Sequence, residues 1–335
     1  MHHQNTLNGY SFEGIRVRFV AGVLFLQDHA KGVMTDVSSS SAIVDVTRFD
    51  LQQAPWHCDQ LERGKVLMFS HVPFEFPDAD RAFLLSQKQT GSRFHKNISY
   101  RPVKDLLKGV DDNSPDRERM NTIMRDFSAS VTRFTSQFLA PYAGKMKLDF
   151  ASFRPLEERG RDLSLHKRND LLHVDAFPSR PTHGGRILRV FANINPSVGR
   201  VWNVGEPFHD FLPKLMQAKR IGPSNSGLGR ALAHMAGKIG LPVPDRSPYD
   251  EFMLYLHDWL KENSDFQKNA PKQELIFPPG SSWMVYTDGV PHAAMSGQYA
   301  LEQTFIIPRE ALVTPQVAPC QVLEDGNYVP RARAS

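Results

Sequence analysis

Gly184-Gly185-Arg186-Ile187-Leu188-Arg189-Val190-Phe191-Ala192-Asn193-Ile194-Asn195-Pro196 is the stretch that decides the fold. Two glycines open it and a proline closes it, so it reads as a strand over Gly185–Asn195. Successive side chains of a strand alternate between faces. Leu188, Val190, Ala192 and Ile194 make one face apolar and suited to packing under helices. Arg189, Phe191, Asn193 and Asn195 occupy the other face. A buried guanidinium without a partner is prohibitively costly, so Arg189 needs an anion. The pattern predicts a sheet with helices over one face and a polar cavity against the other.

Just upstream lies Leu171-Leu172-His173-Val174-Asp175. Residues two apart on a strand share a face, so His173 and Asp175 can hold one ion together. The best third ligand is His292, in the turn Tyr286-Thr287-Asp288-Gly289-Val290-Pro291-His292-Ala293. Two imidazoles and one carboxylate leave open positions for a chelating cosubstrate and O2, the donor set of non-haem Fe(II) oxygenases. His-x-Asp alone is a weak signal, because structural histidines are common. The 5-carboxylate of 2-oxoglutarate would match the planar fork of Arg189. A salt bridge to a protein acid is the competing reading. From Arg154 to Arg200, nine Lys or Arg stand against five Asp or Glu, which suits anionic ligands.

Farther out, Ser114-Pro115 reads as a helix start. Met120, Ile123, Met124, Phe127, Val131, Phe134 and Phe138 then recur at spacings of three and four, one buried stripe of a long helix. Strands are expected at Lys65–Phe69, Lys147–Arg154, Glu274–Phe277, Ser282–Tyr286 and Tyr299–Ile307. Three helix-like stretches interrupt them over about 205–272, the last opening at Ser247-Pro248. Together these give an α+β fold: a double-stranded β-helix (jelly-roll, cupin-like) core with flanking helices and a helical insertion. The domain is expected over 45–315, between a flexible leader at 1–44, which runs into the Ser38–Ser41 tract, and a C-terminal tail at 316–335. In the insertion, Leu228, Leu232, Met235 and Ile239 fall at helical spacing. They suit either an interfacial helix or one packed on the core.

The 335 residues suffice for one large domain or two. A net charge of +4 is far too small to argue for nucleic acid. Cys58 and Cys320 form no CxxC pair, which excludes a disulfide scaffold or thiolate zinc site and suggests a reducing cytoplasm. The longest apolar run, Val17–Leu26, is half the ~20 residues of a membrane span and contains Arg18.

Four stretches taken together carry a resemblance: Phe94-His95-Lys96-Asn97-Ile98-Ser99-Tyr100-Arg101-Pro102, His173-Val174-Asp175-Ala176-Phe177-Pro178-Ser179-Arg180-Pro181, the Gly185–Pro196 strand, and Tyr299-Ala300-Leu301-Glu302-Gln303-Thr304-Phe305. Over roughly residues 45–315 the chain resembles the bacterial Kdo hydroxylases, Fe(II)- and 2-oxoglutarate-dependent enzymes of lipopolysaccharide biosynthesis. The resemblance implies hydroxylation at carbon 3 of Kdo (3-deoxy-D-manno-oct-2-ulosonic acid), giving Ko. It implies Fe(II), 2-oxoglutarate and O2 as cofactors, with ascorbate as reductant. The acceptor it implies is a Kdo-containing lipid A or lipopolysaccharide precursor, met in the cytoplasm with peripheral contact to the inner membrane. Carried over by position, the metal ligands are His173, Asp175 and His292, and the cosubstrate contacts Arg154, Arg189, Arg200 and Trp202. Asn193, on the polar face of the Arg189 strand, is an additional expected contact. Many related oxygenases carry Arg or Lys about ten residues after the distal histidine. Here Gln298 and Gln303 occupy that region and the first cation is Arg309. The cosubstrate anchor must then come from earlier strands. The rival readings are a hydroxylase of a protein or other small molecule, and a non-catalytic jelly-roll sugar-binding module.

Overall fold

The strand read from Gly184–Pro196 runs from Arg186 to Asn193 and lies inside an eight-stranded sheet. It pairs antiparallel with Ser282–Tyr286 on one side and Ala300–Ile307 on the other. Beyond Ser282–Tyr286 come Val66–Phe69 and, parallel to it, Ile43–Asp45. Beyond Ala300–Ile307 come Lys147–Arg154, Ile98–Arg101 and Leu106–Lys108. The computed structural model describes residues 41–87, 97–218 and 244–328, and the backbone of four strands nearer the N-terminus.

Helix Arg117–Phe138 lies over the apolar face of this sheet. All seven residues of the periodic stripe are buried, in one cluster with Leu188, Val190, Ala192, Ile194, Leu301 and Phe305. Ser114 does not cap the helix as expected. Its hydroxyl takes the Asp116 N–H at 3.3 Å within a preceding turn, and the helix starts at Arg117 with no side-chain cap. Ser247 does cap helix Pro248–Glu262. Its hydroxyl accepts the Asp250 N–H, and Asp250 accepts the Ser247 N–H at 3.0 Å, a reciprocal capping box.

A second, three-stranded sheet places Arg200–Gly205 between Lys272–Phe277 and His292–Ser296. The expected strand at Leu171–Asp175 shrinks to one antiparallel bridge. His173 and His292 exchange backbone hydrogen bonds of 3.1 and 3.0 Å, and the Asp175 N–H donates to Thr287 O at 2.8 Å. The polar face of the large sheet and the small sheet enclose the cavity between them, the jelly-roll arrangement. Phe191, Trp202, Phe277 and Trp283 pack between the sheets, Phe277 stacked on Trp283 at 3.9 Å and Trp202 edge-on to the others.

The helical insertion supplies Phe208–Gln217, Pro248–Glu262 and Ser264–Asn269. They form a second apolar cluster whose other members include Leu172, Val174 and Ala293, neighbours of the histidines. Helix Pro319–Asp325 adds Cys320 and Leu323 to this cluster, so residues read as a tail are part of the fold. Stretch 227–239, read as a candidate interfacial helix, lies outside the described residues. Residues 1–42 form a separate unit with four successive antiparallel strands: Ser11–Phe12, Ile15–Val20, Val23–Asp28 and Met34–Asp36. Within the described residues, no helix is long and apolar enough to cross a membrane.

Phe127, midway along helix Arg117–Phe138 and 2% exposed, packs its ring against Phe74 and Phe76 within the cluster that joins helix to sheet. Phe127→Ala is expected to destabilise the fold by about 3–5 kcal/mol. A urea midpoint unchanged from wild type would show that this helix does not clamp the sheet.

Candidate metal centre

His173, Asp175 and His292 place a ligand atom each within 4.8 Å of one another. The bridge between His173 and His292 sets two of them side by side, with ring centroids 4.7 Å apart. The turn before His292 is pinned by a buried ion pair. Asp288 meets Arg186 at 2.8 Å and accepts the Ile187 N–H at 3.1 Å. Gly289 stands in this turn because a Cβ there would collide with the Arg186 guanidinium.

Each histidine is held by a carbonyl. His173 Nδ1–H donates to Leu171 O at 2.7 Å, and His292 Nδ1–H to Val290 O at 3.0 Å. Each Nε2 is therefore the nitrogen with a lone pair to offer a metal. Burial, then the neighbouring His292, holds His173 well below its ordinary pKa, and burial also lowers His292. Both are neutral near pH 7, the form that ligates. Burial would raise the Asp175 carboxyl, but the Arg189 guanidinium foremost outweighs it and holds the carboxyl far below its usual range. Asp175 Oδ1 lies 3.8 Å from His173 Nε2, and Oδ2 lies 3.0 Å from Arg189. Behind the ligands, His257 Nδ1–H donates to Val174 O at 2.7 Å and its ring meets His173 edge-on at 5.1 Å.

A cavity of about 170 Å³ opens on the three ligands, lined also by Arg154, Arg189, Arg200, Trp202, Phe191 and Asn97. The Trp202 ring stacks on His292 at 5.2 Å. The three arginines have protein partners, so the competing reading of Arg189 describes its contacts. Arg189 meets Glu302 at 2.5 Å as well as Asp175, and Arg154 grips the other oxygen of Glu302 at 2.5 and 2.8 Å. Arg200 donates to Glu158 at 3.1 Å and to Gly297 O at 3.0 Å. Glu302 and Glu158, assigned no role from sequence, are the hubs of this lattice. A carboxylate at an inward position of strand Ala300–Ile307 was the available signal for Glu302.

Asn193 is not brought to the cavity. Its amide donates to the carbonyls of Val198, Phe277 and Pro278, and its oxygen accepts the Asn195 N–H, so it ties the chain leaving the strand. Its face was read correctly, but its polar atoms are spent on backbone.

The residues present fit a metal and an anionic cosubstrate. Arg189 Nε, Arg200 Nε and Trp202 Nε1 are buried around this one cavity without hydrogen-bond partners. Orphaned buried polar atoms are rare in the absence of a ligand.

The family model described as 3-deoxy-D-manno-oct-2-ulosonic acid (Kdo) hydroxylase matches residues 47–327. The chain is 35% identical to a Kdo hydroxylase, a non-haem Fe(II) α-ketoglutarate-dependent dioxygenase, solved with cobalt(II). That match covers 88% of this chain and 99% of the other, with a TM-score of 0.78. The complex of such an enzyme with α-ketoglutarate (2-oxoglutarate) and Fe(III) matches at 35% identity over 86% and 96% of the two chains, TM-score 0.75. A succinate and Fe(III) complex matches at 35% over 88% and 99%, TM-score 0.77. No curated protein sequence matches the chain.

His173→Ala, Asp175→Ala and His292→Ala should each abolish stoichiometric cobalt(II) binding in an anaerobic absorption titration, with the circular dichroism spectrum retained. A variant that still bound one equivalent at wild-type affinity would remove its residue from the ligand set.

Proposed function

The chain belongs to the Kdo hydroxylase family of non-haem Fe(II), 2-oxoglutarate-dependent dioxygenases, and from that premise we propose that it hydroxylates carbon 3 of Kdo to give Ko. The acceptor is a Kdo-bearing lipid A precursor, met in the cytoplasm by peripheral contact with the inner membrane. The observation that carries this reading is the convergence of His173, Asp175 and His292 on a cavity walled by three guanidiniums.

When bound, Fe(II) with 2-oxoglutarate and O2 supplies the oxidant, the cosubstrate leaving as succinate and CO2 and one oxygen atom entering a C–H bond. The chain's own residues bind and orient. Nε2 of both histidines and a carboxylate oxygen of Asp175 would hold the metal. Arg189 fixes Asp175 from behind and, with Arg154 and Arg200, faces the cavity. The three guanidiniums there are matched by Asp175, Glu302 and Glu158. A divalent metal therefore brings two positive charges that no cavity side chain offsets. A dicarboxylate restores neutrality in a site where unbalanced charge is costly. Trp202 and Phe191 wall the site against water, and no protein nucleophile is called for. Ascorbate enters as the reductant that keeps the iron ferrous. A sugar-binding module would have no use for a metal with open positions beside a dianion site.

The test is incubation with Fe(II), 2-oxoglutarate, ascorbate, O2 and Kdo-lipid A, followed by mass spectrometry of the glycolipid. One oxygen gained on Kdo per succinate formed is expected; succinate formation with the acceptor mass unchanged would reject the reading. Arg189→Ala should raise the apparent KM for 2-oxoglutarate at least tenfold, since a hydrogen bond to a charged group such as the cosubstrate carboxylate is worth ~1.5–3 kcal/mol. A wild-type KM in that variant would move the anchor to Arg154 or Arg200.

A further inference from the structure

The inner face of the large sheet continues past the metal cavity. Arg154, Ser152 and Phe150 alternate along strand Lys147–Arg154 on the face opposite the core residues Ala151 and Phe153. Arg154 lines the metal cavity, and Phe150 lies four residues away, roughly 13 Å along the strand. On the neighbouring strand, Ser99 pairs with Ser152, which sets Arg101 beside Phe150, while Asn97 at its other end lines the metal cavity. Arg101, Pro102, Val103, Lys104, Phe150 and Arg180 line a second cavity of about 250 Å³.

A chain of ring contacts joins the two cavities. The Arg189 guanidinium lies 5.7 Å from the Phe177 ring, and Arg180 covers the same ring at 4.3 Å. Arg180 and Arg101 then both sit over Phe150, at 4.0 and 4.9 Å. Phe177 and Arg180 belong to the turn that directly follows Asp175, so one segment carries metal ligands and part of the second cavity.

The second cavity is positive. Asp149 meets Arg180 at 3.1 Å and is the one acid among its lining residues. Among the described residues no carboxylate pairs with Arg101, whose Nε is buried without a hydrogen-bond partner. Burial above all, with smaller effects from the nearby cations Arg189 and Arg101, lowers the Arg180 guanidinium despite Asp149. Apolar surface adjoins these cations in Phe150, Leu148 and Val103, the last 87% exposed.

We propose that this cavity binds a second anionic group of the acceptor, a phosphate or sugar carboxylate one or two units away from the sugar that reacts at the metal. The inference rests on the Kdo hydroxylase reading above. Arg101 is the principal contact: its guanidinium pairs with no acid among the described residues and is already oriented by Phe150. Arg180 shares the anion, and Lys104 adds attraction from the rim. Two anion sites about four strand residues apart measure the acceptor, so a free monosaccharide engages only one of them.

Hydroxylation by wild type, Arg101→Gln and Lys104→Gln is compared on Kdo-lipid A, on the same acceptor stripped of phosphate, and on free Kdo. Arg101→Gln should raise the KM for the intact acceptor at least tenfold and Lys104→Gln by less, with the KM for 2-oxoglutarate within twofold and the thermal midpoint retained. Free Kdo should not distinguish the proteins. If phosphate is the anion, stripping it raises the wild-type KM to that of Arg101→Gln and abolishes their difference; a persisting difference assigns a sugar carboxylate. Equal KM for the intact acceptor in wild type and Arg101→Gln overturns the second site. Calorimetric binding of the intact acceptor to cobalt(II)-loaded protein separates the two readings. Binding that weakens in Arg101→Gln while no acceptor is hydroxylated rejects the reaction and keeps the site.

Discussion

Arg189, on the central strand of the large sheet, is clasped between Asp175 and Glu302, and the rest of the site depends on that contact. Burying a guanidinium without acids would cost several kcal/mol, and burying either acid without it would cost as much. Burial alone would raise Glu302, yet Arg154 and Arg189 hold it below its usual range, so both arginines face a full negative charge. Arg154 extends the lattice toward Glu158 at 3.7 Å, and Glu158 binds Arg200 on the small sheet. The two sheets are thus joined across the cavity by alternating charges. Phe191 and Trp202 meet edge-on beside these ion pairs, so charges and rings together bridge the sheets around the open interior.

That opening is tolerable because apolar packing is concentrated outside it. Helix Arg117–Phe138 seals the back of the large sheet, and the helical insertion with Pro319–Asp325 seals the back of the ligand segment. Leu172 and Val174 alternate with His173 and point into the second cluster. His173 is therefore positioned by apolar neighbours on both sides in sequence, as well as by the Leu171 carbonyl. Lys261, on helix Pro248–Glu262, donates to His166 O at 2.8 Å while burial brings its ammonium down to about 8. It ties the insertion to the segment leading into the ligands.

The features legible in the sequence were those that periodicity encodes. The strands Ser282–Tyr286 and Lys147–Arg154 appear within the bounds read, and the stripe from Met120 to Phe138 appears because 3.6-residue spacing reports burial directly. Alternation also placed Arg189 and Phe191 on the cavity face. It could not say what a polar group would touch, and Asn193 shows the difference: it shares their face but serves the turn beyond its strand. Helix Pro319–Asp325 was too short, at seven residues opening on a proline, to carry a period. The Ser-Pro pairs at 114 and 247 look alike in sequence. Only the second has an acid three residues on, Asp250, to complete the reciprocal cap, and Arg117 in the matching position of the first cannot do so.

Asp175 reconciles a stable protein with a metal site. A carboxylate reserved for a metal would be a buried, unpaired anion whenever the metal was absent, a state that costs several kcal/mol. Here its two oxygens divide the work: Oδ2 is 3.0 Å from Arg189, and Oδ1 faces the His173 Nε2 at 3.8 Å. The ion pair with Arg189 keeps the carboxylate charged and placed without any ion, so metal binding requires no rearrangement of the acid. The same pair limits how strongly a cation is held, because Arg189 repels it. A dicarboxylate bound in the cavity would offset the positive charge that the metal adds. Metal and dicarboxylate then each favour the other's binding, and by linkage the coupling is equal in both directions.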